Sequence, residues 1–234
     1  LNKDDPKQVS YDLKNKCKIL WIGIDNKDVD VHASNIKCSS VGTTFDVTFK
    51  GDKKKYEFET KLLGKHNVYN ILAGLALGRE FGISIPKLQQ AVRNVKQVEH
   101  RLELKKMGYF YQIDDAYNSN PVGAKSALEV LSMMPGLKVV VTPGMIELGD
   151  KEEELNKEFG KQIAKISKAD YVVLIGEKRT RPIKEGLKEA KFNMDNLIVY
   201  NDVKEAYNFI RGIKTKKDIY ALFENDLPDT YNEK

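Results

Sequence analysis

The chain has 234 residues, 41% of them hydrophobic and 31% charged, which is enough for two modest cores and not the make-up of a disordered chain. The net charge of +5 comes from scattered lysines, with short clusters at Lys53-Lys54-Lys55 and between Lys214 and Lys217, not from a basic face interleaved with aromatics. That balance argues against a nucleic-acid partner and leaves a small anionic substrate compatible.

No apolar run reaches the length that spans a bilayer, so no membrane partner is expected. The opening Leu1-Asn2-Lys3-Asp4-Asp5-Pro6 has an acidic pair and an early proline where a signal peptide needs a basic and then an apolar stretch. It also lacks an initiator methionine, so the expectation is that the numbering starts inside a longer gene product. Cys17 and Cys38 form no C-x-x-C motif, which fits a reducing cytoplasm. His32, His66 and His100 are too widely spaced for a helical pair of zinc ligands, and no metal site is expected among these residues.

In chain order, residues 18–24 read as a buried strand. Residues 29–36, 43–49 and 56–62 follow as β-like runs with branched or aromatic side chains at period two, separated near Gly42 and Gly51-Asp52. Together they predict an antiparallel patch appended to a sheet. A helix over residues 67–81 is stopped by Gly82, and a second over 86–95 has Ser84 as candidate N-cap and Pro86 in its first turn.

The pattern then changes. Strands over residues 109–113, 138–142, 171–175, 197–200 and 218–223 alternate with helices over 121–133, 152–166, 182–190 and 203–211. Such alternation predicts a mostly parallel, doubly wound α/β sheet, with the domain junction near residues 98–102.

Four segments carry candidate chemistry. In Gly64-Lys65-His66-Asn67-Val68-Tyr69-Asn70, Asn67 and Asn70 lie three apart on one helix face. Each amide pairs a donor with an acceptor and matches one edge of adenine; the competing reading makes one a helix cap and leaves the other solvated. In Glu99-His100-Arg101-Leu102-Glu103, Arg101 either reaches a phosphate with its planar fork or forms a salt bridge with Glu99 or Glu103. In Asp114-Asp115-Ala116-Tyr117-Asn118-Ser119-Asn120-Pro121, a strand ends in carboxylates, where doubly wound folds bind ligands, and Asn120 with Pro121 can open a helix. Thr142-Pro143-Gly144-Met145-Ile146-Glu147-Leu148-Gly149 lacks the lysine and hydroxyl of a phosphate loop and reads as a shaped strand-to-helix loop.

In this order the segments resemble the Mur ligases of cell-wall synthesis, over essentially the whole chain. Asn2-Lys3-Asp4-Asp5 is similar to the family's Asn-x-Asp-Asp segment late in the central, ATP-binding domain. The resemblance implies ATP-binding roles for His66, Asn67 and Asn70 at adenine, Arg101 at the phosphates and Asp115 at ribose. It implies contacts of Tyr117, Asn118 and Asn120 with substrate. It also implies two domains: residues 1–99 as the later part of the central α/β domain with its antiparallel strands, and 100–234 as a Rossmann-like C-terminal domain.

The wording of residues 114–121, of Gly144 to Gly149 and of Glu224-Asn225-Asp226-Leu227-Pro228-Asp229 resembles the branch of the family that adds D-alanyl-D-alanine to UDP-N-acetylmuramoyl tripeptide. ATP and Mg²⁺ are then the implied cofactors, in a cytoplasmic monomer. The family's phosphate loop, magnesium-holding glutamate and carbamoylated lysine have no counterpart in these 234 residues. They are expected in an N-terminal half, and the chain alone is expected to be inactive. Open alternatives are a relative such as folylpolyglutamate synthase, and a non-catalytic nucleotide-binding or scaffolding module.

Overall fold

The computed structural model describes residues 1–12, 17–117 and 119–225. The chain divides into two compact units, Leu1–Lys96 and Gln97–Lys234.

The first unit opens with a short helix, α1 (Pro6–Val9), capped by the Asp5 carboxylate, which accepts from the Lys7 amide. Its sheet has the order β1 (Ile22–Gly23), β2 (Val31–Ser39), β3 (Gly42–Phe49), β4 (Tyr56–Thr60), with β1 parallel to β2 and the other pairs antiparallel. Along β3 the alternate residues Thr43, Phe45, Val47 and Phe49 are buried, as a sheet with one covered face requires. Two helices, α2 (Lys65–Glu80) and α3 (Ile85–Arg93), supply the cover. Val68, Leu72 and Leu75 of α2 and Leu88 and Val92 of α3 join Phe45, Val47 and Phe58 in one core. Gly82, at φ 73°, ends α2, with the Ile83 amide returning to the Gly78 carbonyl.

Here the strand expected over 18–24 shrinks to Ile22–Gly23. Its outer neighbour is the chain's own start: Leu1 O accepts from Ile22 N at 2.9 Å, and Ile22 O accepts from Lys3 N at 2.9 Å. Leu20 and Ile24 pack against the core outside the two-residue strand, although the Leu20 carbonyl still accepts from Leu1 N at 2.8 Å, because an apolar run specifies burial and not pairing. Asp4 closes the loop beyond. It accepts from the amides of Ile24 (2.6 Å), Asp25 (3.1 Å) and Asn26 (2.7 Å), and from the Tyr69 hydroxyl on α2 (2.7 Å). Ser84 occupies the N-cap position of α3 but makes no side-chain capping bond.

The second unit is a six-stranded sheet. Its strands are β5 (Glu103–Lys106), β6 (Tyr111–Asp115), β7 (Leu137–Thr142), β8 (Tyr171–Ile175), β9 (Leu197–Tyr200) and β10 (Ile219–Glu224), in the spatial order β5-β6-β10-β7-β8-β9. All pairings are parallel except β5 on β6. The helices are α4 (Pro121–Met133), α5 (Glu152–Gln162), α6 (Arg181–Glu189) and α7 (Val203–Gly212). From α7, Ala206 and Ile210 pack on Val139, Val141, Val173, Ala221 and Phe223, as the chain returns from the edge strand β9 to the sheet's middle at β10. This is the doubly wound α/β architecture expected.

The strand expected over residues 109–113 runs instead over Tyr111–Asp115, so Asp114 and Asp115 lie within it, and two further elements depart from expectation. β5, Glu-Leu-Lys-Lys, was not anticipated because three of its four residues are charged; at a sheet edge charged side chains are in place. The helix expected to reach residue 166 stays α-helical to Gln162, then widens to a π turn at Ile163–Ser167, ended by Lys168 at φ 55°.

Candidate functional site

The site residues of the first unit stand at the start of α2. Gly64, at φ 86°, is the N-cap residue and offers no side chain, so neither asparagine caps this helix. Asn67 Nδ2 donates to the Leu63 carbonyl at 2.9 Å and lies 3.0 Å from His66 Nε2. With both amide hydrogens so directed, His66 Nε2 must be the acceptor, and the ring is neutral. Loss of hydration also holds the His66 imidazole below the ordinary histidine range. Asn67 is therefore left with its carbonyl oxygen. Asn70 is exposed, makes no side-chain hydrogen bond among the described residues, and keeps both donor and acceptor.

In the second unit the segment around Arg101 is latched to the end of β6. Leu102 N donates to Asp115 Oδ1 at 3.1 Å, and Tyr117 N donates to the His100 carbonyl at 3.3 Å. His100 Nδ1 lies 3.0 Å and Lys105 Nζ 2.7 Å from Asp114 Oδ2. His100 and Leu102 both sit in the left-handed region, at φ 57° and 47°. For side chains of this bulk that conformation costs about 1–2 kcal/mol per residue, met here by the latch.

Arg101 projects from this turn into solvent with its guanidinium 4.4 Å from the centre of the Tyr117 ring. The alternative salt bridge to Glu99 or Glu103 does not form: Glu103 is taken by Lys105 at 2.9 Å and by the His100 amide. A stacked guanidinium keeps its N–H edges free for an anion.

Asp115 is half-buried, and burial raises its carboxyl above the ordinary aspartate value, with the Leu102 amide, a hydrogen bond with Glu224 and the Arg101 charge pulling the other way and Asp114 adding to the rise. Asn120 caps α4: its Oδ1 accepts from Val122 N at 3.1 Å and Gly123 N at 3.0 Å, leaving its amide nitrogen outward. Tyr117 is exposed, and Asn118 lies outside the described residues, as do residues 226–229 of the closing motif.

Ser119, Glu224 and Asn225, which the sequence marks only as parts of family-like wording and to which it assigns no role, surround Asp115. On the adjacent strand β10, Glu224 stands in register with it. Ser119 donates to Glu224 Oε1 at 2.6 Å, Asn225 N donates to the Asp115 carbonyl at 3.2 Å, and Asn225 Nδ2 to the Gly144 carbonyl at 2.7 Å. Only the parallel pairing of β6 with β10 brings residues so distant in sequence together. The loop after β7 is tied to α5: the Asn156 side chain binds both the amide and the carbonyl of Met145, at 2.8 Å each.

The doubly wound sheet, with carboxylates and a strained turn at its carboxyl edge, is an α/β unit of Rossmann-like type. The chain belongs to the Mur ligase family: the sequence profile of the Mur ligase middle domain matches residues 1–78, and that of the Mur ligase glutamate ligase domain matches residues 100–223. The UDP-N-acetylmuramoyl-tripeptide--D-alanyl-D-alanine ligase of Bacillus subtilis (strain 168) is 32% identical over 193 residues, covering 81% of this chain and 41% of that protein. The UDP-N-acetylmuramoyl-L-alanyl-D-glutamate--2,6-diaminopimelate ligase of Listeria monocytogenes (strain EGD-e) is 30% identical over 226 residues, 96% of this chain and 40% of that protein. Among solved structures, the MurF ligase from Thermotoga maritima in complex with ADP shares the fold with TM-score 0.73 at 18% identity, over 94% of this chain and 48% of that one. A MurF from Acinetobacter baumannii gives 0.70 at 23% identity, over 89% and 44%. The chain thus spans less than half the length of these relatives.

Proposed function

We propose that this chain forms the adenosine-holding part of an ATP-dependent ligase that joins D-alanyl-D-alanine to UDP-N-acetylmuramoyl tripeptide in peptidoglycan synthesis. In that reaction ATP phosphorylates the peptide's terminal carboxylate. The dipeptide amine then attacks the acyl phosphate, forming the amide and releasing phosphate. The observation that carries the reading is the latched end of β6, where Asp115 and the outward guanidinium of Arg101 are set by one short turn. Asp115 would accept from the ribose hydroxyls and Arg101 would meet phosphate oxygens. Asn70, with Asn67 through its carbonyl oxygen and His66 beside it, would read adenine. Tyr117, Asn118 and the outward amide of Asn120 are left for the incoming dipeptide, although the stacking on Arg101 gives Tyr117 a second task.

Magnesium would neutralise charge on the transferred phosphoryl group. Among the described residues no three His, Cys, Asp or Glu side chains are gathered to hold it. We propose, from the family resemblance alone, that its ligands and the phosphate loop lie in the part of the relatives that this chain does not span, and that the working enzyme is a cytoplasmic monomer. A diaminopimelate-type acceptor is the second reading, supported by the Listeria relative that matches 96% of the chain. The wording of residues 114–121 favours the dipeptide.

Calorimetry of ADP against the 234-residue chain tests the division of labour. Without phosphate contacts the expected affinity is about millimolar, or roughly 4 kcal/mol. The chain mixed with ATP, Mg²⁺, the UDP-linked tripeptide and D-alanyl-D-alanine should release no phosphate. Micromolar ADP binding or steady turnover would mean that the phosphate site lies within this chain after all.

A further inference from the structure

Glu224 closes β10 at the sheet's carboxyl edge and is 1% exposed. One carboxyl oxygen, Oε1, accepts from the Ser119 hydroxyl; the other, Oε2, is buried with no hydrogen-bond donor among the described residues. Its neighbour is the carboxyl group of Asp115, which interacts with it side by side across the register pair. Two carboxylates cannot satisfy each other, since both only accept. A buried oxygen without a donor costs about 1–3 kcal/mol, and more if it is charged. A proton between the two groups removes the difficulty: the neutral acid donates to the carboxylate, and one negative charge, not two, has to be accommodated.

We propose that Glu224 is a positioning residue for Asp115: the two share one proton across β6 and β10, and this bond, with the Leu102 amide, fixes the orientation in which Asp115 presents its remaining acceptor capacity to a ribose diol. The proton resides mainly on Glu224, the more deeply buried partner. Burial first, and the facing Asp115 second, push the Glu224 carboxyl well above the ordinary glutamate value. The other charged groups nearby do not displace this proton. Arg101 lies on the Asp115 side, and Asp114 is already engaged by His100 and Lys105, the latter also held by Glu103. From the β7 side the neighbouring contact is neutral, Asn225 to the Gly144 carbonyl. The role in binding rests on the ribose reading of Asp115; the shared proton does not.

The test has two readouts on the 234-residue chain. In wild type, the ¹³C carboxyl signals of Glu224 and Asp115 should titrate as a coupled pair, with Glu224 above its ordinary value of 4.5. A Glu224 that titrates near 4.5 and independently of Asp115 overturns the proposal, and no substitution is needed to see it. Melting against pH supplies the second arm. Because the folded-state value is raised, wild type should lose stability as pH rises through it, while Glu224→Gln, whose amide donates without titrating, should not. Identical pH profiles for the two proteins also overturn it. For binding, Glu224→Ala should weaken ADP about tenfold, as for a lost charge-assisted hydrogen bond, and Glu224→Gln by much less. Amide shifts at Leu102 and Asp115 on adding ADP tell the two layers apart. A coupled titration with those amides silent removes the ribose role of Asp115 and leaves the shared proton standing.

Discussion

Asp4 and Glu224 are carboxyl groups that the fold treats in opposite ways. Burial raises both, but Asp4 meets three amides and a hydroxyl, whose bonds together bring its carboxyl below the ordinary aspartate value of 3.8. Glu224 meets one hydroxyl and another acid. Near-complete burial with a single donor raises the Glu224 carboxyl, whereas at Asp4 four donors outweigh a much shallower burial. Replacing Asp4 by Ala leaves three loop amides and the Tyr69 hydroxyl without their acceptor. Urea unfolding at pH 7 should show a loss of about 2–3 kcal/mol, since hydrogen bonds to a charged group are among the stronger ones. A depressed folded-state value means this stability is present above pH 3.8 and disappears as pH falls through the folded value, so the difference between the two proteins should shrink in acid. Equal stability at pH 7 would show that water serves these amides as well as Asp4 does.

Between elements, α5 and α6 approach each other closely. A Cβ built on Gly186 would lie 2.0 Å from the Lys157 carbonyl oxygen, and one on Gly160 2.2 Å from that of Ile183. Both obstacles are backbone, which cannot swing aside, so each helix has a glycine where the other's main chain passes. Gly186→Ala should force the helices apart and cost about 1–3 kcal/mol, the usual range for overpacking, read as a lowered melting temperature. An unchanged melting temperature would mean the helices slide apart without loss. The same crossing holds Ile183 in the interior beside Gly144, whose φ of 87° and nearby Asn156 oxygen leave no room for a side chain in the loop after β7.

At the scale of the molecule, each unit has its own apolar centre: Phe45, Val47, Leu72 and Leu75 in the first, Val139, Val141, Val173 and Phe223 in the second. We propose that the second unit folds by itself. A chain beginning at Gln97 should melt cooperatively and keep the Asp115 and Glu224 titration, because β5 through β10 and their helices all lie beyond that point. Absence of a cooperative transition would make the first unit part of the second's stability.

The alternating strands and helices of the second unit were legible because β7, β8 and β9 are short branched runs, β10 is a short apolar one, and periodicity is a local property. Asn67, Asn70, Arg101 and Asp115 are candidates because their types and order resemble a family, and the chain's membership of the Mur ligases rests on profile matches over residues 1–78 and 100–223. Tertiary structure alone decided what each side chain has left to offer. The Asn67 hydrogens go to Leu63 and His66, Arg101 lies on an aromatic ring and not against an acid, and Asp115 meets a glutamate on a strand more than a hundred residues away in sequence. The reason is that a hydrogen bond depends on which groups arrive together in space. Strand pairing at a distance brings them there, and no spacing along the chain records it.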